Sequence, residues 1–237
     1  MQTDDLYLPP PPGTFRSWME NKFRSWAYRH WLRQIQRLSR GLVHTRVVDV
    51  GCGSGYLLMC LRKAFPDIAL TGVDTRLDLL ACVKSRVAKV EIVQGDAQGL
   101  PLQDKSQDAV FCLHVVEHLP APEVFFREAH RILRPGGILL MATPNAQGLG
   151  ARIMGDRWIG YEDPTHICLR GPSVWRQMLK SNGFRVQRDG TTGLSGIPVF
   201  RSFPLCVLQR IPLFFCGCFP WRFGEAYMCI GERDSAV

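Results

Sequence analysis

The sequence predicts a doubly wound α/β fold on a mostly parallel sheet, and three observations carry that prediction. Between residues 45 and 145 apolar, β-branched runs alternate with helix-forming stretches, the pattern of repeated right-handed βαβ crossovers. The first run, Val47-Val48-Asp49-Val50, breaks into Gly51-Cys52-Gly53-Ser54-Gly55-Tyr56 and continues as Leu57-Leu58-Met59-Cys60-Leu61-Arg62. Strand, glycine turn and helix in that order bring backbone N–H groups close to a ligand at a helix N-terminus. Asp74 ends the next apolar run, Ile68 to Val73, at about the 20-residue separation at which a carboxylate meets ribose hydroxyls in such folds.

Taken in order, the chain opens with a lead-in over residues 1–13 containing Pro9-Pro10-Pro11-Pro12-Gly13, an extended or disordered tail. Residues 14–41 read as an amphipathic helical extension: Phe23, Trp26, Ala27, Trp31, Ile35 and Leu38 form one stripe, and Arg29, Arg33, Arg37 and Arg40 lie on another face. Packing of the stripe on the main domain is the favoured reading. A membrane surface and a lid over the substrate side are the others. The main domain then spans 42–237, with strand 46–50, helix 54–64, strand 68–73, helix 76–87, strand 90–94, strand 109–113, helix 122–132 and strand 137–143. Pro122 in the first turn and Pro135-Gly136-Gly137 beyond the end bound the last of these helices. Residues 146–170 read as a loop leaving the carboxyl edge, and Gly171-Pro172 opens a helix that Asn182-Gly183 closes. Phe184-Arg185-Val186-Gln187 and Glu225 to Gly231 read as the last two strands. Between them an apolar insertion, 195–222, holds Ile211-Pro212-Leu213-Phe214-Phe215-Cys216-Gly217-Cys218-Phe219-Pro220-Trp221. It is too short and proline-broken to span a bilayer, which leaves a membrane contact, the wall of an apolar pocket, or core packing.

Composition bounds the function. The chain has 237 residues, 46% of them hydrophobic, enough for one large core. A net charge of +8 suits an anionic partner such as nucleic acid, anionic lipid or an acidic substrate; a soluble enzyme with basic faces is the plainer reading. The 9 cysteines are scattered without a Cys-x-x-Cys pair, as expected of a reducing cytosol with neither disulfides nor zinc. Asp4, Asp5 and the prolines argue against a signal peptide, and no run reaches the 18 apolar residues of a membrane span.

The glycine turn is not the dinucleotide fingerprint, because its third glycine comes one place early, and no lysine follows as in a phosphate-binding loop. Three further stretches give it meaning. Gly95-Asp96-Ala97 ends a third run. Asp108-Ala109-Val110-Phe111-Cys112-Leu113-His114-Val115-Val116-Glu117-His118-Leu119 reads as a strand and turn. Leu133-Arg134-Pro135-Gly136-Gly137 leads into Ile138 to Asn145. In this order the motifs resemble the class I S-adenosylmethionine-dependent methyltransferases over roughly residues 45–145, nearest the branch with the ubiquinone-biosynthesis O-methyltransferases. The resemblance implies a seven-stranded sheet ending in an antiparallel hairpin, and S-adenosylmethionine as cofactor. By the same resemblance Asp49 faces the methionine amino group, and Gly51, Cys52, Gly53 and Ser54 pass close to the cofactor's backbone. Asp74, with Thr75 beside it, accepts the ribose hydroxyls. Asp96 and Ala97 address the adenine, and Leu113 and His114 line the pocket near the sulfonium.

A sulfonium methyl is already activated, so the enzyme's tasks are alignment and exclusion of water. An oxygen acceptor that is not already ionised also needs a base, and His114, His118 and His166 are the candidates. His166 and His118, with Tyr161 as a substrate contact, are the catalytic choices; Asp163-Pro164-Thr165-His166 read as a bracing turn is the structural alternative. His114-Val115-Val116-Glu117-His118 also fits the H-x-x-E-H pattern of some zinc proteases. That pattern needs a helix, and here it straddles a strand end and a turn, so no metal is expected. The expected activity is methyl transfer to a small, apolar or lipid-like acceptor. A nucleic-acid methyltransferase and a non-catalytic membrane- or protein-binding module are the alternatives.

Overall fold

In the computed structural model the described residues are 45–194, 197, 205–208, 218–219 and 222–234. The expected lead-in, the helical extension 14–41 and most of the insertion 195–222 lie outside them.

The β-branched run at the start forms β1 (Arg46–Val50), and the leucine-rich run after the glycines forms α1 (Tyr56–Ala64). The alternation continues with β2 (Ala69–Asp74), α2 (Leu77–Arg86), β3 (Val90–Gln94), β4 (Gln107–Leu113), α3 (Pro122–Ile132) and β5 (Leu133–Pro144). Two short helices, α4 (Leu149–Met154) and α5 (Ile159–Glu162), precede α6 (Pro172–Ser181), β6 (Phe184–Thr191) and β7 (Ala226–Arg233). The seven strands form one sheet in the order β3-β2-β1-β4-β5-β7-β6. β1 to β5 pair in parallel, and β7 is antiparallel to both β5 and β6, as expected of the closing hairpin.

The period-two alternation of strand side chains divides the core between the two faces. Val48, Val50, Val110, Cys112, Leu139 and Met141 pack with Phe125, Phe126, Ile132, Trp175 and Leu179 from α3 and α6. Val47, Ala109, Phe111, Ile138 and Leu140 pack with Leu57, Leu58, Leu61, Leu80 and Val83 from α1 and α2. Two differences from expectation have local causes. β5 begins at Leu133 and runs through Pro135-Gly136 rather than starting at Gly137, because Gly136 takes a positive φ of 74° and the register with β4 shifts there. The segment 146–170 is not loop throughout. It is folded onto the residue preceding β7 by Trp158, buried, whose Nε1 donates to Glu225 Oε2 at 2.6 Å. The end of the insertion pairs with the sheet: Thr191 and Phe219 exchange backbone hydrogen bonds of 2.9 and 2.8 Å.

Strand order reverses at β1, where β2 lies on one side and β4 on the other. Ligands of doubly wound sheets bind in the crevice beyond the carboxyl ends at such a point. The residues facing that crevice are those following Val50, Val73 and Leu113.

Candidate active site

The glycine turn is built by its own backbone. Gly51 N and Cys52 N both donate to Val73 O, at 2.8 and 3.0 Å, tying the turn to the end of β2. Gly51, Gly53 and Gly55 have φ of 71°, 52° and 80°, a region costly for other residues. The three glycines answer different demands. A Cβ on Gly51 would fall 2.3 Å from Val115 Cγ2, and one on Gly55 2.9 Å from Val83 Cγ2. Among the described residues a Cβ on Gly53 would meet nothing within 4 Å, so Gly53 faces open space there.

Asp74 closes the turn. Its Oδ2 accepts from Gly53 N at 2.8 Å and its Oδ1 from Arg76 N at 3.0 Å, so both oxygens are oriented by backbone donors. Asp49, buried at the end of β1, lies within electrostatic reach of it. Burial first, and the charge of Asp74 second, push the Asp49 carboxyl up to about 8. Asp96 follows β3, is exposed, and accepts from Gln98 N at 2.8 Å, leaving its second oxygen toward solvent. The loop carrying it is held by Arg131, whose guanidinium donates to the carbonyls of Leu100 and Leu102, both at 2.8 Å, and to Glu128 and Asp104. Thr75 is exposed and Ser54 half-buried at the same crevice. The Cys52 and Ala97 side chains are buried in the core on opposite faces of the sheet, so only their backbones are available to a ligand.

Beyond β4 the chain turns sharply. His114 takes a left-handed φ of 58°, held by its N–H to Ala142 O at 2.8 Å. Its Nδ1 donates to Glu117 Oε1 at 3.2 Å. Glu117 is fully buried in a one-turn 3₁₀ helix, Val116–His118. Burial acts to raise its carboxyl, but the His114 hydrogen bond and nearby histidines outweigh it and hold the group below its usual range. The His118 and His166 rings meet at a tilt of 55° with centroids 4.8 Å apart. His166 Nδ1 donates to Gly160 O at 2.7 Å. Thr165 Oγ1 donates to Asp163 Oδ1 at 2.6 Å and lies 2.8 Å from His118 Nδ1. Tyr161, half-exposed, packs edge-on against Trp158 at 5.0 Å. The structure therefore brings His118 and His166 together, 48 residues apart in sequence, while His114 pairs with Glu117 instead.

Comparison with known proteins now bears on this crevice. Residues 48–141, from β1 to β5, match the family described as a methyltransferase domain. Residues 48–141 are a class I S-adenosylmethionine-dependent methyltransferase domain. A probable S-adenosylmethionine-dependent methyltransferase of Mycobacterium tuberculosis is 37% identical over 123 residues, 49% of this chain and 43% of that one. A fatty-acid O-methyltransferase of Mycolicibacterium smegmatis is 41% identical over 97 residues, 40% of this chain and 35% of that one. The chain thus spans less than half the length of these curated relatives. A putative methyltransferase from Bacillus halodurans has a similar fold, with a TM-score of 0.63 at 21% identity, covering 86% of this chain and 98% of that one.

The cofactor of the methyltransferase domain is S-adenosylmethionine. The residues fit it: among the described residues nothing lies within 4 Å of a Cβ placed on Gly53, the Asp74 carboxylate is oriented by Gly53 N, and Asp49 would offer a buried acid to a cationic amine. When bound, the cofactor supplies an activated methyl group. Gly53 and Asp74 are the residues that would hold it, and the chain's own contribution would be to orient it there and to keep water out.

The raised Asp49 carboxyl has a measurable consequence. A carboxyl whose folded pKa is raised favours the fold while protonated, so this stability is full below the usual carboxylate range and is lost as pH rises through about 8. A cationic ligand reverses the preference, since it interacts with the carboxylate. S-adenosylhomocysteine affinity is expected to rise with pH until Asp49 ionises, with proton uptake by buffer on binding below about pH 8. Calorimetry in buffers of different ionisation enthalpy reads both effects. Asp49→Asn should flatten the profile, and a wild-type affinity independent of pH would remove Asp49 from the site.

Proposed function

We propose that this chain methylates an oxygen of a small lipid-like acid, the carboxylate of a fatty acyl chain being the simplest such acceptor. Methyl transfer itself rests on one observation, the open glycine cradle with Asp74 bonded to Gly53 N at 2.8 Å. The acceptor class has two supports. The first is the similarity to a fatty-acid O-methyltransferase. The second is the set of apolar side chains left exposed on the segment after β5: Ile153, Ile159, Tyr161 and Ile167. This segment leaves the carboxyl edge of the sheet, so an acyl chain lying on it would bring its head group toward the crevice.

A carboxylate is already anionic at neutral pH and needs no proton removed before attack. His118 and His166 then serve to position rather than to act as bases, consistent with both Nδ1 atoms being engaged by the loop. Incubation with radiolabelled S-adenosylmethionine and saturated fatty acids of graded length is the test. A base-labile methyl ester, formed with a preference for chain length, is the expected product. If the protein binds S-adenosylhomocysteine but makes no ester from any acid, the acceptor class is wrong while the cradle stands. Steep salt-dependent affinity for RNA would turn the reading toward nucleic acid. No helix among the described residues is long and apolar enough to cross a membrane.

A further inference from the structure

We propose that Glu117, His118 and His166 form a site for a divalent first-row metal ion on the acceptor side of the crevice. One ring nitrogen of each imidazole and one carboxylate oxygen of Glu117 lie within 4.8 Å of one another. Two imidazoles and one carboxylate are a donor set suited to such an ion, and three protein ligands leave coordination positions open.

Two further observations support it. Glu117 is 0% exposed, and its Oε2 has no hydrogen-bond partner among the described residues, although Oε1 accepts from His114. A buried carboxylate oxygen without a partner is costly, and a cation would satisfy it. The imidazoles are also oriented as ligands are. Carbonyl oxygens only accept, so the neighbouring carbonyls, Gly160 O for His166 and Thr165 O for His118, place the proton of each ring on Nδ1. In the neutral ring the lone pair is then on Nε2. Metal-bound histidines characteristically donate their other ring N–H to a carbonyl or carboxylate in this way. Asp163, which accepts from Thr165 and lies 3.8 Å from His166 Nε2, adds a second negative charge to the surroundings.

The sequence argued against a metal because His114 and His118 straddle a strand end. The fold supplies a different second histidine. Cys168 N donates to Glu117 O at 2.9 Å, which fastens the loop carrying His166 beside the 3₁₀ turn. The open positions of an ion held there would suit an anionic oxygen of the acceptor.

The site goes beyond the proposed reaction, and its test uses the metal alone. The full chain, treated with chelator and dialysed, is titrated with Co²⁺ and followed by its visible absorption. One Co²⁺ per chain is expected, with ligand-field bands and no sulfur-to-cobalt charge-transfer band. Glu117→Gln and His166→Gln should each weaken binding by about 100-fold, since each removes a direct ligand where even an outer partner is worth 10–100-fold. Asp156→Asn, on the same loop but outside the site, should bind as wild type does. No stoichiometric binding by the wild-type chain overturns the proposal, and so does a charge-transfer band that assigns the metal to cysteine. Wild-type affinity in folded Glu117→Gln and His166→Gln would also overturn it. Should either variant fail to fold, the wild-type stoichiometry and spectrum decide alone. S-adenosylhomocysteine binding, measured separately, reports on the cofactor cradle, so failure of one reading is distinguishable from failure of the other.

Discussion

Replacing Asp74 with alanine is expected to weaken S-adenosylhomocysteine binding by about 100-fold or more while leaving the sheet intact. The carboxylate does two things at once. It holds the glycine turn through Gly53 N at 2.8 Å and the start of the next helix through Arg76 N at 3.0 Å. By the family resemblance it would also accept the ribose hydroxyls. Hydrogen bonds to a charged group contribute roughly 1.5–3 kcal/mol each, so losing two ligand bonds together with the turn's anchor exceeds a hundredfold in affinity. Asp74→Asn gives an independent check. It keeps one acceptor oxygen but removes the charge that helps raise Asp49, so the pH at which affinity levels off should move below the wild-type value of about 8. Binding of the alanine variant within threefold of wild type would exclude Asp74 from ligand contact.

Gly51→Ala should cost the fold about 3 kcal/mol. A φ of 71° penalises any L-residue by about 1–2 kcal/mol. The new methyl would also fall 2.3 Å from Val115 Cγ2, and overpacking of that kind costs about 1–3 kcal/mol. Val115, half-buried just before the 3₁₀ turn, is packed against the core, which opposes its displacement. The two costs are separable. Adding Val115→Ala should recover the overlap and leave the backbone cost, so the double variant should be more stable than Gly51→Ala alone. Urea denaturation midpoints at constant slope measure both. A single variant within about 0.5 kcal/mol of wild type, the range of ordinary surface substitutions, would mean that the turn is not under this constraint.

Gly53 contrasts with Gly51. A Cβ there meets nothing among the described residues, so alanine should cost the ligand-free fold only its φ, and the loss should fall on ligand affinity. Sequence spacing does not distinguish the two glycines, because both satisfy the same turn. Val115, which makes the difference, lies 64 positions away.

Other expectations divide along the same line. β1, α1, β2, β3 and α3 were readable to within two or three residues, because each is marked by its own period, proline or glycine. β5 ran past its expected start because Gly136 could absorb a bulge once Gln107 was available to pair with Leu133. α4 and α5 were missed because helices of six and four residues are too short to show a stripe, and tertiary anchors such as the Trp158–Glu225 bond hold them. Glu117 was not singled out as a site residue. Its signals in the sequence are its place in the H-x-x-E-H match of residues 114–118 and its position as an acid after the apolar pair Val115-Val116, which is consistent with a buried charge needing a partner.

The sequence by itself determined the strand–glycine–helix cradle and the carboxylate that closes it, since both follow from backbone constraints within a single βαβ unit. It determined the parallel sheet for the same reason: the alternation of apolar periods leaves few other ways to bury those runs. Only the tertiary structure decided which histidines meet. His118 and His166 come from separate crossovers, and their approach depends on how the segment after β5 folds back onto β4's turn and onto the residue preceding β7. That path is set by long-range hydrogen bonds and one buried tryptophan, none of which leaves a periodic mark in the chain.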